Sequence, residues 1–165
     1  MSILVLGVGN ILLSDEAIGV RVVEALEQRY HLPENVEVLD GGTAGMELLG
    51  AMANRDHLII ADAIVSQKSV PGTVICLRND AVPTLFRNKI SPHQLGLSDV
   101  LSALRFTGEF PQKLTLIGVI PLSLEPHIGM TPVVEASLEK ALQAVLDALR
   151  ESGVQPRLRE AKHAG

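Results

Sequence analysis

The sequence predicts a three-layer α/β/α domain on a five-stranded twisted sheet, mixed but mostly parallel, with its fourth strand antiparallel. Three features of the chain lead there. The run Ile3-Leu4-Val5-Leu6-Gly7-Val8-Gly9 is continuously apolar and bounded by glycines, the pattern of a strand buried on both faces of a parallel sheet. Such runs alternate with segments of helical apolar spacing, as parallel neighbours joined by crossover helices require. The connection Val65 to Gly72, which contains Pro71-Gly72, is shorter than the roughly dozen residues of a parallel crossover, so the strand after it must reverse.

Each element follows in order. Behind the first strand, Ser14-Asp15-Glu16 precedes Ile18, Val22, Val23, Leu26 and Tyr30 at helical spacing, with Ser14 the natural N-cap. Val36-Glu37-Val38-Leu39-Asp40 is the second strand, and Gly41-Gly42-Thr43 turns it into a helix carrying Met46, Leu48, Leu49 and Met52 that ends at Asn54-Arg55-Asp56. Leu58-Ile59-Ile60-Ala61 is the third, with Asp62 at its tip. The reversed fourth strand covers 73–78, and Asp80 to Lys89 brings the chain back through a short helix around Leu85 and Phe86. Ser91 then caps a helix that Pro92 opens, placing His93 in its first turn above an apolar face of Leu95, Leu97, Val100, Leu101 and Leu104. Leu114 to Ile120 is the fifth strand, ended by Pro121. Thr131-Pro132 starts the last helix, which carries Val134, Leu138, Leu142, Val145 and Leu149 as far as Gly153. Residues 1–153 make one domain, and the mixed, charged stretch 154–165 reads as a flexible tail.

The bulk composition narrows the class. At 165 residues and 47% hydrophobic the chain has material for a single sizeable core. A formal net charge of −5, few aromatic residues and no Lys/Arg cluster before the last dozen residues argue against a nucleic-acid surface and favour a basic or uncharged partner segment. Met1-Ser2 runs directly into a strand without a signal-like segment, and no apolar run reaches membrane-span length, so a cytoplasmic protein with no membrane contact is expected; it is also expected to be a monomer. The single cysteine, Cys76, excludes an internal disulfide and reads as a small apolar residue buried in the fourth strand.

Ligands of open α/β sheets bind outside the carboxyl ends of the strands, and three chemically able residues fall there: Glu16, Asp62 and His93. Each has a plain alternative. Asp15 and Glu16 complement a helix dipole if taken alone, Asp62 could cap a turn, and His93 could cap its helix. Their convergence from three distant segments favours a metal site, because two carboxylates and a neutral imidazole suit a borderline divalent ion such as zinc or nickel with positions left open. His127, just after the fifth strand, is a fourth candidate of lower weight, whereas His31, His57 and His163 have no such support. A dinucleotide site is the competing reading of Gly7-Val8-Gly9-Asn10-Ile11-Leu12, with Asp40 where a ribose-binding acid would stand. Leu12 in place of the third glycine, and two carboxylates where a pyrophosphate would dock, count against it.

An ordered set of motifs resembles the hydrogenase maturation endopeptidases over about residues 1 to 153. The set is Leu6-Gly7-Val8-Gly9-Asn10-Ile11-Leu12 with Asp15-Glu16-Ala17-Ile18-Gly19-Val20, then Asp40-Gly41-Gly42-Thr43-Ala44-Gly45, Ala61-Asp62-Ala63, Ser91-Pro92-His93-Gln94, and Ile120-Pro121 followed by Glu125-Pro126. The resemblance implies a phosphorylase/hydrolase-like fold. It also implies a protease that removes the C-terminal extension from the precursor of a [NiFe]-hydrogenase large subunit once nickel is in place. The implied metal ligands are Glu16, Asp62 and His93, reading nickel supplied by the substrate, with no tightly bound organic cofactor and with the Asp40 to Thr43 turn close by. Hydrolysis would then use either a metal-activated water or Asp62 or Glu16 as general base in aspartyl-protease fashion. A nickel-binding chaperone with the same ligands and no cleavage, or a nucleotide-binding enzyme, would be the alternatives.

Overall fold

The structure, a computed structural model, describes residues 1–66, 68–87 and 92–159, with the side chains of 86–87 and 92–95 outside that description. Five strands form the main sheet: β1 (Ile3–Val8), β3 (Val36–Gly42), β4 (His57–Ala63), β5 (Val74–Arg78) and β6 (Lys113–Val119), in the spatial order β3-β1-β4-β6-β5. β1 pairs in parallel with β3 and β4, β4 pairs in parallel with β6, and β5 alone runs antiparallel, against β6. The short connection after β4 reverses the chain as expected. Between β1 and β4 the strand order changes direction, and that crevice is where such sheets bind ligands.

Strand alternation sorts the core into two layers. Ile3, Val5, Ile59, Ala61 and Ile117 face α1 (Ile18–Arg29) and α6 (Leu138–Glu151), meeting Val22, Leu26, Leu142, Val145 and Leu149. Leu4, Leu6, Leu58, Ile60 and Leu116 face the other way, against the short α2 (Leu49–Met52), against Val82 of α3 (Ala81–Arg87), and against Leu97, Leu101 and Leu104 of α4 (Pro92–Thr107). At about 25 cal/mol per Å² of apolar area, the many fully buried branched side chains are the main stabilising term. No helix among the described residues is long and apolar enough to cross a membrane.

Several local expectations are corrected. The chain enters α1 through a 3-10 turn, Ser14–Ala17, and Ser14 makes no cap bond to it; the Ser14 hydroxyl donates instead to the carbonyl of Glu125 at 2.6 Å. Tyr30 leaves the helix to pair, with His31, as β2 (Tyr30–His31) against β7 (Arg157–Leu158). That pairing holds down the start of the expected flexible tail, and Val154 is buried in the core; residues 160–165 lie outside the described residues. The segment after β3 is a 3-10 turn (Met46–Leu48) and one turn of α-helix, and Met46 is exposed. The last helix is broken into α5 (Pro132–Glu135) and α6. Cys76 is exposed: β5 is an edge strand, and while Ile75 and Leu77 pack on the α4 side and Val74 on the α6 side, the Cys76 position on that second face is left open to solvent. The expected cap Ser91 lies outside the described residues.

Candidate active site at the carboxyl edge

The carboxyl ends of β1 and β4 are brought together by backbone contact. Gly19, in the first turn of α1, sits so close to both strands that a Cβ there would stand 2.3 Å from the carbonyl oxygen of Ala61 and 2.5 Å from that of Val8. Only glycine allows the approach. The 3-10 turn ahead of α1 therefore packs against β4, bringing Glu16 to the strand end that carries Asp62.

Both carboxylates are buried, Glu16 at 7% exposure and Asp62 at 1%. Glu16 Oε1 accepts the backbone N–H of Asn10 at 2.9 Å, which ties the turn to the loop after β1. At Gly9, whose φ of +133° suits glycine, a Cβ would fall 2.1 Å from the carbonyl oxygen of Glu16. Asp62 Oδ1 accepts the N–H of Ala63 at 2.8 Å, and Asp62 is the sixth residue of β4, not a residue beyond its tip.

His93 lies in the first turn of α4, as expected from Pro92, and its side chain is outside the described residues. What can be seen is how that helix end is held. Gly96, one turn on, meets Gly45 with their Cα atoms in close approach, so that a Cβ on Gly96 would stand 3.1 Å from the Cα of Gly45. The Asp40 to Gly45 segment thus packs against the start of α4. It is also pinned to the loop after β1, because Gly9 N–H donates to the Gly42 carbonyl at 2.7 Å. Asp40 uses Oδ1 to accept Gly42 N–H, bracing its own turn.

Other candidates sort differently. His127 is exposed, its Nδ1 3.4 Å from the carbonyl of Gly129 in its own loop, while the backbone of that loop bridges to Leu13. His31 contacts Arg159, and His163 lies outside the described residues. His57 is buried at the opposite end of β4 with Nδ1 2.6 Å from Ser152 Oγ and Nε2 2.8 Å from Thr115 Oγ1, a structural tie far along the strand from Asp62.

Asp15 is the residue that the sequence misplaces. Read from sequence as a complement to the helix dipole, it is instead fully buried, and its oxygens accept from the backbone of Leu122, Ser123 and Thr131 and from the Thr131 hydroxyl. Burial would push its carboxyl up, but these four donors outweigh burial and leave it below the ordinary carboxylate range. Its partners stand more than a hundred residues away, so no local pattern signals them.

A family model described as hydrogenase maturation protease matches residues 20–148. The hydrogenase 2 maturation protease of Escherichia coli strain K12 is 78% identical over 163 residues, covering 99% of this chain and 99% of that one. The hydrogenase expression/formation protein HoxM of Azotobacter vinelandii is 44% identical over 155 residues, covering 93% of this chain and 74% of its own length. Among solved structures, a hydrogenase maturating endopeptidase from Escherichia coli superposes with a TM-score of 0.94 at 78% identity, over 96% of this chain and 98% of that one. A [NiFe] hydrogenase maturation protease from Thermococcus kodakarensis shares the fold, with a TM-score of 0.74 at 24% identity over 89% and 98% of the two chains. With the model spanning most of the chain and near-complete alignment to a relative at 78% identity, this chain belongs to the hydrogenase maturation proteases and is a peptide-bond hydrolase, an endopeptidase.

Proposed function

We propose that this endopeptidase removes the C-terminal extension from the nickel-loaded precursor of a [NiFe]-hydrogenase large subunit, with Glu16, Asp62 and His93 engaging the nickel that the substrate carries. The observation that supports it most is the burial of two carboxylates, Glu16 and Asp62, on a turn and a strand packed together at the switch point of the sheet. A carboxylate taken out of water is costly to keep charged, and a divalent cation arriving with the substrate is a partner that offsets such a cost. Carboxylate oxygens and an imidazole also match the ligand preferences of nickel.

In this reading the enzyme's own groups position and accept. Glu16, Asp62 and His93 complete the coordination of the substrate's ion and so hold the adjacent peptide against the edge, converting cleavage into a reaction of fixed partners. A precursor without nickel offers no such contact, so the checkpoint is a difference of affinities. Water then attacks the scissile carbonyl carbon, one carboxylate of the pair takes the water's proton, the C–N bond breaks, and the proton passes to the leaving amine.

The test is incubation of the purified enzyme with nickel-loaded precursor, read by mass spectrometry as release of a C-terminal peptide. Glu16→Gln should abolish release while circular dichroism stays that of the parent. In parallel, His93→Ala should weaken calorimetric binding of a divalent cation to the free enzyme at least tenfold. Full release by Glu16→Gln, or unchanged cation affinity in His93→Ala, would remove these residues from the site.

A further inference from the structure

Asp15 stands beside Glu16 in sequence, yet its oxygens serve a distant loop. Oδ2 accepts the N–H groups of Leu122 at 2.9 Å and Ser123 at 3.0 Å, and Oδ1 accepts that of Thr131 at 2.7 Å. The Thr131 hydroxyl, in the N-cap position of α5, makes no cap bond there and donates to Asp15 at 2.7 Å. Backbone bonds lace the same loop onto the Glu16 turn: Ser14 N–H to His127 carbonyl at 2.9 Å, His127 N–H to Leu12 carbonyl at 3.0 Å, and Asp15 N–H to Ser123 carbonyl at 3.1 Å. Ser14 holds a left-handed φ of +51° to make these contacts, a conformation unfavourable for a residue with a side chain.

The two laced loops display apolar side chains to solvent. Leu12, Leu122 and Ile128 are all more than half exposed, and Ile11 and Leu124 more than a third. A depression of about 380 Å³ lies alongside, lined by Ser14, Ser123, His127 and Thr131 among others. The only charged side chain between Pro121 and Thr131 is Glu125. Exposed apolar residues scattered singly need no explanation, but a rigidly held group beside a peptidase edge marks a place where a chain is gripped.

We propose that Asp15 is a positioning residue of the protease: it clamps the 121–131 loop to the Glu16 turn, forming an apolar wall along which an uncharged, apolar stretch of the substrate polypeptide lies beside the scissile bond. The proposal rests on the reading that the hydrogenase precursor is the substrate at this edge. An endopeptidase must hold its substrate on both sides of the cut, and this wall borders the carboxyl edge through the turn that carries Glu16. Its near lack of charge selects an apolar segment.

Steady-state cleavage of nickel-loaded precursor by the full chain tests it. Thr131→Val removes the hydroxyl donor at nearly constant volume, and Thr131→Ser keeps it. Thr131→Val should raise KM at least fivefold with kcat within twofold, Thr131→Ser should behave as the parent, and amide exchange should quicken at Leu122 and Ser123 but not in β1. Leu12→Ser and Ile128→Ser, at exposed positions that do not endanger folding, should each raise KM in the same way and decide the matter if Thr131→Val does not fold. Unchanged KM in the Leu12 and Ile128 variants overturns the wall, as does sedimentation showing that these changes split a dimer without altering KM. A fall in kcat alone, or a Thr131→Ser variant as impaired as Thr131→Val, overturns the clamp. Failure of the underlying substrate reading shows separately, as no cleavage of the nickel-loaded precursor by the parent enzyme.

Discussion

At the scale of single residues, the structure separates Asp15, whose oxygens hold a distant loop, from Glu16 and Asp62, buried where the carboxyl edge of the sheet meets the turn before α1. Asp62→Asn keeps the size of the side chain and an oxygen for the N–H of Ala63, so the melting temperature should stay within a few degrees of the parent. Processing should fall by about a hundredfold or more, the scale of a lost general base or ligand; wild-type turnover in this variant would defeat both roles. His57 carries a different prediction. Burial first, then the positive charge of Lys113, push its imidazole down to about 4, so the folded protein keeps the ring neutral where the unfolded chain would protonate it. The stability from this neutral, doubly bonded ring is whole above about pH 6.5 and is lost as pH falls towards 4, to the extent of about 2–3 kcal/mol. Urea unfolding at pH 7 and pH 4.5 should show a steeper loss in the parent than in His57→Gln, and equal slopes would refute it. Cys76, exposed on the edge strand, should react with a thiol reagent in the folded protein without affecting cleavage. The placement of Glu16 and Asp62 at the carboxyl edge was legible from sequence because each sits near a strand or helix boundary that local pattern marks. Asp15 was not, because its meaning comes from Leu122 and Thr131, which only the folded chain brings near.

At the scale of elements, the reversal of β5 was legible from loop length alone, since eight residues cannot cross over a sheet. The exposure of Cys76 was not, because the apolar run 73–78 looks the same at the centre and at the edge of a sheet, and only strand order tells them apart. The break between α5 and α6 also escaped the apolar periodicity, which continues through it from Val134 to Leu149. The β2–β7 ribbon escaped too, being two residues long on each side. That ribbon predicts where the domain ends. A chain stopped after Gly153 loses the burial of Val154 and the pairing of Arg157–Leu158 and should be destabilised by roughly 2 kcal/mol relative to a chain stopped after Arg159. Equal denaturation midpoints for the two truncations would mean that the ribbon contributes nothing.

At the scale of the whole molecule, the two core layers build a rigid sheet whose carboxyl edge gathers the loop after β1, the end of β4, the Asp40 to Gly45 turn and the start of α4. Close glycine contacts at Gly19 and between Gly45 and Gly96 draw these pieces together through the backbone. Membership of the hydrogenase maturation proteases says that peptide hydrolysis is the chemistry; that nickel in the substrate licenses it is the proposal made above from the buried carboxylates. The direct measurement is a side-by-side cleavage assay of one precursor, purified with and without nickel and followed by intact mass. Loss of the C-terminal peptide from the nickel-loaded form alone is the expected result; cleavage of the nickel-free form at the same rate would rule out the nickel checkpoint.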